Sequence, residues 1–158
     1  MPKYHTDNRL AGTQQNLAAT FKTLVALTAA TATLKRGRIM ELLVGADGAP
    51  NATDCQIVYD VSRQTAAGTS TAITPTPKDP ADVAAGTVGA ANFTAEGTIT
   101  ATSTLLNMSL NQRASQRWFA MDENDGLIWP ATNLAGLAVR ALSPTYAAPA
   151  LASVTHLE

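Results

Sequence analysis

The acidic run Asp122-Glu123-Asn124-Asp125-Gly126 gathers oxygen donors just before a glycine. Calcium loops use such donors, but at alternate positions, and they add a bidentate glutamate further along. Here the spacing is one residue short and no glutamate follows at that distance, so a solvated loop tip is expected. Asp54 and Asp60 form a second carboxylate pair. Six residues apart on an alternating segment, they fall on one face of a strand. Glycoside chemistry would also need a cleft and a raised pKa on one of them, and an exposed polar face is the plainer expectation. Serine and threonine are abundant, but none sits in a G-x-S-x-G elbow. The two histidines, His5 and His156, lie near opposite ends of the chain. The single cysteine, Cys55, excludes an internal disulfide and a Cys-cluster zinc site; it is expected as a small buried apolar group. Gly86-Thr87-Val88-Gly89 has neither the lysine nor the helix of a phosphate loop. The sequons at Asn51, Asn92 and Asn107 arise by chance in a threonine-rich chain. No catalytic, cofactor-binding or metal-binding residue is expected.

Trp118 and Trp129 flank the acidic run. Tryptophan anchors protein interfaces and stacks on sugars. It also fills sandwich cores, and both uses stay open from the sequence.

Composition narrows the class further. The chain has 158 residues, 46% of them hydrophobic but only 5% aromatic and 15% charged. Typical domains carry about 25% charged residues. Eleven Lys+Arg against twelve Asp+Glu leave a net charge of −1. With no basic run there are few counterions to release, so nucleic-acid binding is not expected. Disorder would need higher net charge and fewer apolar residues. So few charges repel neighbouring molecules weakly, which suits life against another protein surface. The stretch Leu17–Leu34 resembles a secretory leader weakly, with Lys3 and Arg9 before it and Ala-Thr-Ala near Thr31. Lys22 and the scattered threonines interrupt its apolar core, and the polar lead-in is too long. It is also too short and polar to span a bilayer. Neither a leader nor a membrane partner is expected.

The elements read as β. Phe21–Thr28 alternates at period two with β-favouring threonine and valine. Ile39–Val44 is apolar nearly throughout, and Asp54–Arg63 puts Cys55, Ile57, Tyr59 and Val61 on one face. Thr65–Gly89 is the least strand-like part. Its prolines favour extended backbone at 74–80, and Asp79-Pro80-Ala81-Asp82 can start a helix that Gly86 ends after barely one turn. Ala95–Leu110 reads as one long strand whose faces swap near Leu105, the sign of a bulge. Arg117–Met121 and Leu127–Ala131 read as a hairpin around Asp125-Gly126. Gly136–Leu142 is the last strand of the body. Met1–Asn16 lacks either periodicity and reads as an arm, and Ser143–Glu158 reads as an extended tail. About six to eight short strands and almost no helix predict an all-β single domain, an antiparallel β-sandwich or jelly roll. Its boundaries are an arm at 1–16, a body at 17–146 and a tail at 147–158.

Within that body, Leu110-Asn111-Gln112-Arg113-Ala114, Arg117-Trp118-Phe119-Ala120, Leu127-Ile128-Trp129-Pro130-Ala131-Thr132, Gly136-Leu137 and Ser143-Pro144-Thr145-Tyr146 stand out. With the segment Thr74-Pro75 to Asp79-Pro80-Ala81-Asp82 ahead of them, they resemble a group of small virion proteins of tailed phages and prophages. The resemblance covers Lys35 to Tyr146. It implies a β-sandwich that decorates or cements a capsid without catalysis, on the virion surface after synthesis in the host cytoplasm. The implied partners are the major capsid protein and further copies of the chain, as a trimer. Termini that add a strand to a neighbour's sheet would supply contacts, with Tyr4, His5, Arg9 and Leu10 as anchors and Trp118 and Trp129 as further contact candidates. The alternative is a tail or fibre module that binds glycans through Trp118, Trp129 and the Asp122–Gly126 loop. A secreted bacterial β-domain, cleaved near Thr31, is the third reading.

Overall fold

The computed structural model describes residues 1–30 and 32–158; Thr31, where leader cleavage was considered, lies outside them. The chain is 57% strand and 3% helix, arranged as two antiparallel sheets. Among the described residues the strands are β1 (Lys3–Asp7), β2 (Lys22–Ala29), β3 (Gly37–Ala46), β4 (Gln56–Ala66), β5 (Thr69–Ile73), β6 (Thr76–Pro77), β7 (Thr87–Ala95), β8 (Thr98–Asn111), β9 (Ser115–Phe119), β10 (Leu127–Trp129), β11 (Gly136–Leu142) and β12 (Ala150–Leu157). The first sheet runs β10-β3-β12-β1-β6, with β9 also on β3, and the second runs β5-β7-β2-β11-β4-β8. The sandwich-like class expected from the alternation is therefore present.

Two expectations about the ends fail. The expected arm contains β1, which pairs along its length with β12, and the expected tail contains β12, seated between β1 and β3. Both ends are interior strands of the first sheet. Tyr4 and Thr6 point inward while Lys3, His5 and Asp7 point outward. Past β1 a 3₁₀ turn, Asn8–Ala11, ends at Gly12 in the left-handed region (φ 76°), which glycine adopts without strain. Buried Asn8 ties this turn to β12. Its amide donates to the Ala150 carbonyl at 2.8 Å and its oxygen accepts from the Ala152 N–H at 3.1 Å.

The core lies between the sheets. Val25 and Leu27 of β2, Ile57, Tyr59 and Val61 of β4, and Leu137 and Val139 of β11 face Ile39, Leu42 and Val44 of β3 and Ala152 and Val154 of β12. Gly37 admits the largest of the fully buried side chains. A Cβ there would stand 2.1 Å from the Trp129 ring.

The second sheet folds over itself. Only Ala67-Gly68 separates β4 from β5, and only Glu96-Gly97 separates β7 from β8. Yet β4 and β8 stand at one side of the sheet while β5 and β7 stand at the other. The paired strands therefore form a ribbon that arches across the outer face of β2 and β11. Under it Phe93 and Ile99 pack on Ala26 and Ala138. This cover explains why β2 is buried on both faces instead of half-buried, as its alternation predicted. The expected bulge is real. The β4–β8 register shifts between Val61 and Ala66, and Thr102 sits in the left-handed region at φ 56°.

The expected hairpin is absent. β9 pairs with Glu41–Gly45 and β10 with Gly37–Ile39, so both lie end to end along one edge of β3. Residues 120–126 loop out between them. Part of the segment 65–89 also proves to be strand, as β5 and β6, because backbone pairing with β7 and β1 offsets weak propensity. At the turn Asp79 caps with its carboxylate, which accepts the Ala81 N–H at 2.9 Å, and its carbonyl accepts the Asp82 N–H at 3.0 Å, but no helix follows.

Candidate contact surface

Tyr4, His156, Trp129 and Glu158 bring ionisable and aromatic groups together in one place. The Tyr4 ring stacks on His156 at 5.4 Å, and Trp129 meets the same imidazole edge-on at 5.5 Å. Glu158 accepts the backbone N–H groups of Gly86 (2.7 Å) and Thr87 (2.9 Å) and approaches His156 Nε2 at 3.4 Å. Burial alone would raise the Glu158 pKa. The bonds from His156, Thr87 and the Gly86 and Thr87 amides outweigh it and hold the carboxyl at about 2. Burial, then the charges of Glu158 and Asp82, pushes the Tyr4 hydroxyl pKa up, and that hydroxyl donates to the Val83 carbonyl at 3.0 Å. Chemistry at this cluster would need access. Tyr4, Trp129 and His156 are each 0% exposed, so it joins strands and admits no reactant.

Asp60 corrects another expectation. It is not on an exposed polar face but 3% exposed, held by a two-pronged pair with Arg140, whose Nε stands 2.8 Å from Oδ1 and whose NH2 binds Oδ2. Ser62 donates to Oδ2 at 3.0 Å, and Phe21 lies 4.5 Å from the guanidinium carbon. Asp54 is exposed beside Arg113 at 2.8 Å, whose hydrogen bond lowers its pKa. In the acidic loop, Asp122 Oδ1 accepts the N–H of Asn124 (2.6 Å) and Asp125 (3.2 Å), so its oxygens cap their own turn. Among the described residues no group of three or more His, Cys, Asp or Glu could hold a metal ion.

The residues expected to make contacts do not form one surface. Tyr4 and Trp129 are internal, because their side chains face the core from β1 and β10. Trp118 is half-buried against the same core. His5 is half-buried on the outer face of β1, opposite Thr155 and Thr76. Arg9 forks onto Asp47, with Nε 2.8 Å from Oδ2, and this bond lowers the Asp47 pKa. Leu10 on the 3₁₀ turn is 54% exposed. Only His5, Arg9, Leu10 and part of Trp118 remain available to a partner.

A different surface forms outside the first sheet. Lys3, Glu41, Lys78, Arg117 and Phe119 line a groove of about 360 Å³. Glu41 sits at its centre, 2.6 Å from Arg117, 3.9 Å from Lys78 and accepting from the Thr155 hydroxyl at 3.1 Å. Beside it Phe119 is 63% and Met121 90% exposed. The sequence held the signal for both. Once Trp118 points inward, alternation sends Phe119 out. A smaller hollow of about 150 Å³ under the arch is lined by Phe93, Val88, Leu134 and Gln64 and by no ionisable side chain.

Three of the residues behind the expected virion-protein resemblance, Gln112, Ser143 and Tyr146, serve the scaffold. Buried Gln112 accepts the Asn51 N–H at 2.9 Å and donates to the carbonyls of Asn51 and Thr53. Ser143 donates to the Gln56 carbonyl at 2.7 Å and accepts the Tyr146 N–H. The Tyr146 hydroxyl accepts the Gly48 N–H at 3.0 Å. No described helix is long and apolar enough to cross a membrane. Compared with known proteins, the chain matches no family model, no curated protein and no solved structure.

Proposed function

We propose that the protein is a non-enzymatic structural component of a tailed-phage virion that binds the major capsid protein and stabilises the shell. The observation that carries this reading is the pair of exposed apolar side chains, Phe119 at the end of β9 and Met121 on the 120–126 loop, beside the charged groove. Large apolar groups are costly in water and serve as anchors at interfaces. The arrangement fits the resemblance that covers Lys35 to Tyr146. A protein that binds the assembled shell and not its free subunits stabilises the shell by mass action. The arm contacts expected from the sequence give way to this surface, since β1 is already paired within its own sheet.

The test is co-sedimentation with purified capsids of the encoding phage. Replacing both residues (Phe119→Asp with Met121→Asp) should abolish capsid binding while the circular dichroism spectrum stays β. Undiminished binding refutes the proposal. A glycan-binding fibre module loses support because Trp129 offers no surface on which a sugar could stack.

A further inference from the structure

We propose that the hollow under the arch is a binding site for a small uncharged molecule, a single ring or short chain that carries one hydroxyl. The hollow shares no lining residue with the groove beside Phe119. Ala72 of β5 and Val88, Ala90 and Phe93 of β7 supply apolar walls, Leu134 stands ahead of β11, and Gln64 comes from β4. Eight of the eleven described lining residues are apolar, and five of those are alanine. Their short side chains leave the gap open, and so much apolar wall disfavours filling by water alone.

The volume of about 150 Å³ sets the size of the occupant. An apolar cavity of that volume holds one benzene ring. No ionisable side chain lines it among the described residues, so a charged ligand would be buried without a partner, which is costly. Val88 and Leu134 are 39% and 41% exposed. Apolar surface therefore stands open to water beside the hollow, and a ligand that covers it gains from the burial.

Gln64 supplies the polar requirement. It is 2% exposed, and its side-chain oxygen has no hydrogen-bond partner. A buried acceptor left unpaired costs free energy that a ligand can recover. A hydroxyl suits the amide in either orientation, because it can donate to the oxygen or accept from the nitrogen. The site lies apart from the surface assigned to the capsid, and its test does not depend on that reading.

Phenol is the probe, followed through amide NMR spectra of the full chain. Signals of Ala72, Val88, Ala90, Leu134 and the Gln64 side-chain amide should shift together and saturate at millimolar phenol. Ala72→Leu, which fills the hollow from an exposed position on β5, should abolish these shifts. Gln64→Met keeps the length of the side chain without its amide. It should weaken phenol about fivefold and leave benzene binding undiminished. N-Acetyl-tyrosinamide carries the same ring on a peptide unit, and the ring alone fills the volume, so it should bind about tenfold less tightly than phenol. Circular dichroism checks that each variant folds. Shifts that never saturate, shifts centred elsewhere, or phenol binding indifferent to both replacements would overturn the proposal. N-Acetyl-tyrosinamide binding as tightly as phenol would also overturn it, since a side chain of another protein would then be the occupant.

Discussion

The Tyr4 ring lies stacked on the His156 imidazole, 5.4 Å between centroids and 24° between planes, although the two residues come from opposite ends of the chain. Each is 0% exposed. The contact shows that both termini belong to the sheet that closes the core. Removing residues 1–16 should therefore unfold the protein and not leave a folded body, because β12 would lose a partner strand. The milder Tyr4→Ala change should cost about 3–5 kcal/mol, as for other large buried aromatics. Chemical denaturation of the variants measures both, and a truncated chain with an unchanged midpoint would contradict the sheet order.

Arg140 and Asp60 should behave as a coupled pair. Arg140→Ala leaves a carboxylate that is 3% exposed without its counter-charge, and should cost about 3–5 kcal/mol. Replacing both, as Asp60→Leu with Arg140→Met, should recover part of that loss, since apolar groups of similar volume need no partner. A double-mutant cycle by urea denaturation gives the coupling, and strict additivity would show that the two do not interact.

Glu158 should make the fold sensitive to acid. Its folded pKa of about 2 lies below the ordinary value of 4.5. The stabilisation is complete above about 4.5 and fades as the pH falls toward 2, on the order of 3 kcal/mol in all. Glu158→Gln should lose most of this contribution at neutral pH and flatten the stability profile between pH 5 and 2. Thermal melts across that range test it, and parallel curves for the two proteins would argue against the assignment.

Tyr59 presents the opposite case. Its hydroxyl is buried with no hydrogen-bond partner, and burial, then neighbouring Tyr146, pushes its pKa far above the usual value. Tyr59→Phe should remove an unsatisfied polar group without changing shape. A gain of about 1 kcal/mol is expected, read as a higher midpoint at unchanged slope. A loss of that size would mean that the hydroxyl has a partner after all.

Side-chain alternation by itself determined the β class, the inward row Ile57, Tyr59 and Val61, and the bulge in β8. These are local properties, because a pleated strand with one buried face must repeat every two residues. Tertiary structure alone decided the fate of the ends. Lys3–Asp7 is too short and polar to declare itself, and Ala150–Leu157 presents small side chains and a histidine to the core. Their strand character comes from pairing with each other across the length of the chain. The same holds for β9 and β10. Asp125-Gly126 favours a turn, but a turn does not say which strand its flanks will pair with, and β3 offered both a continuous edge. The contact surface followed from that choice. Phe119 and Met121 became exposed once Trp118 and Trp129 were committed to the interior, a division that depends on which face of β3's neighbours the core occupies.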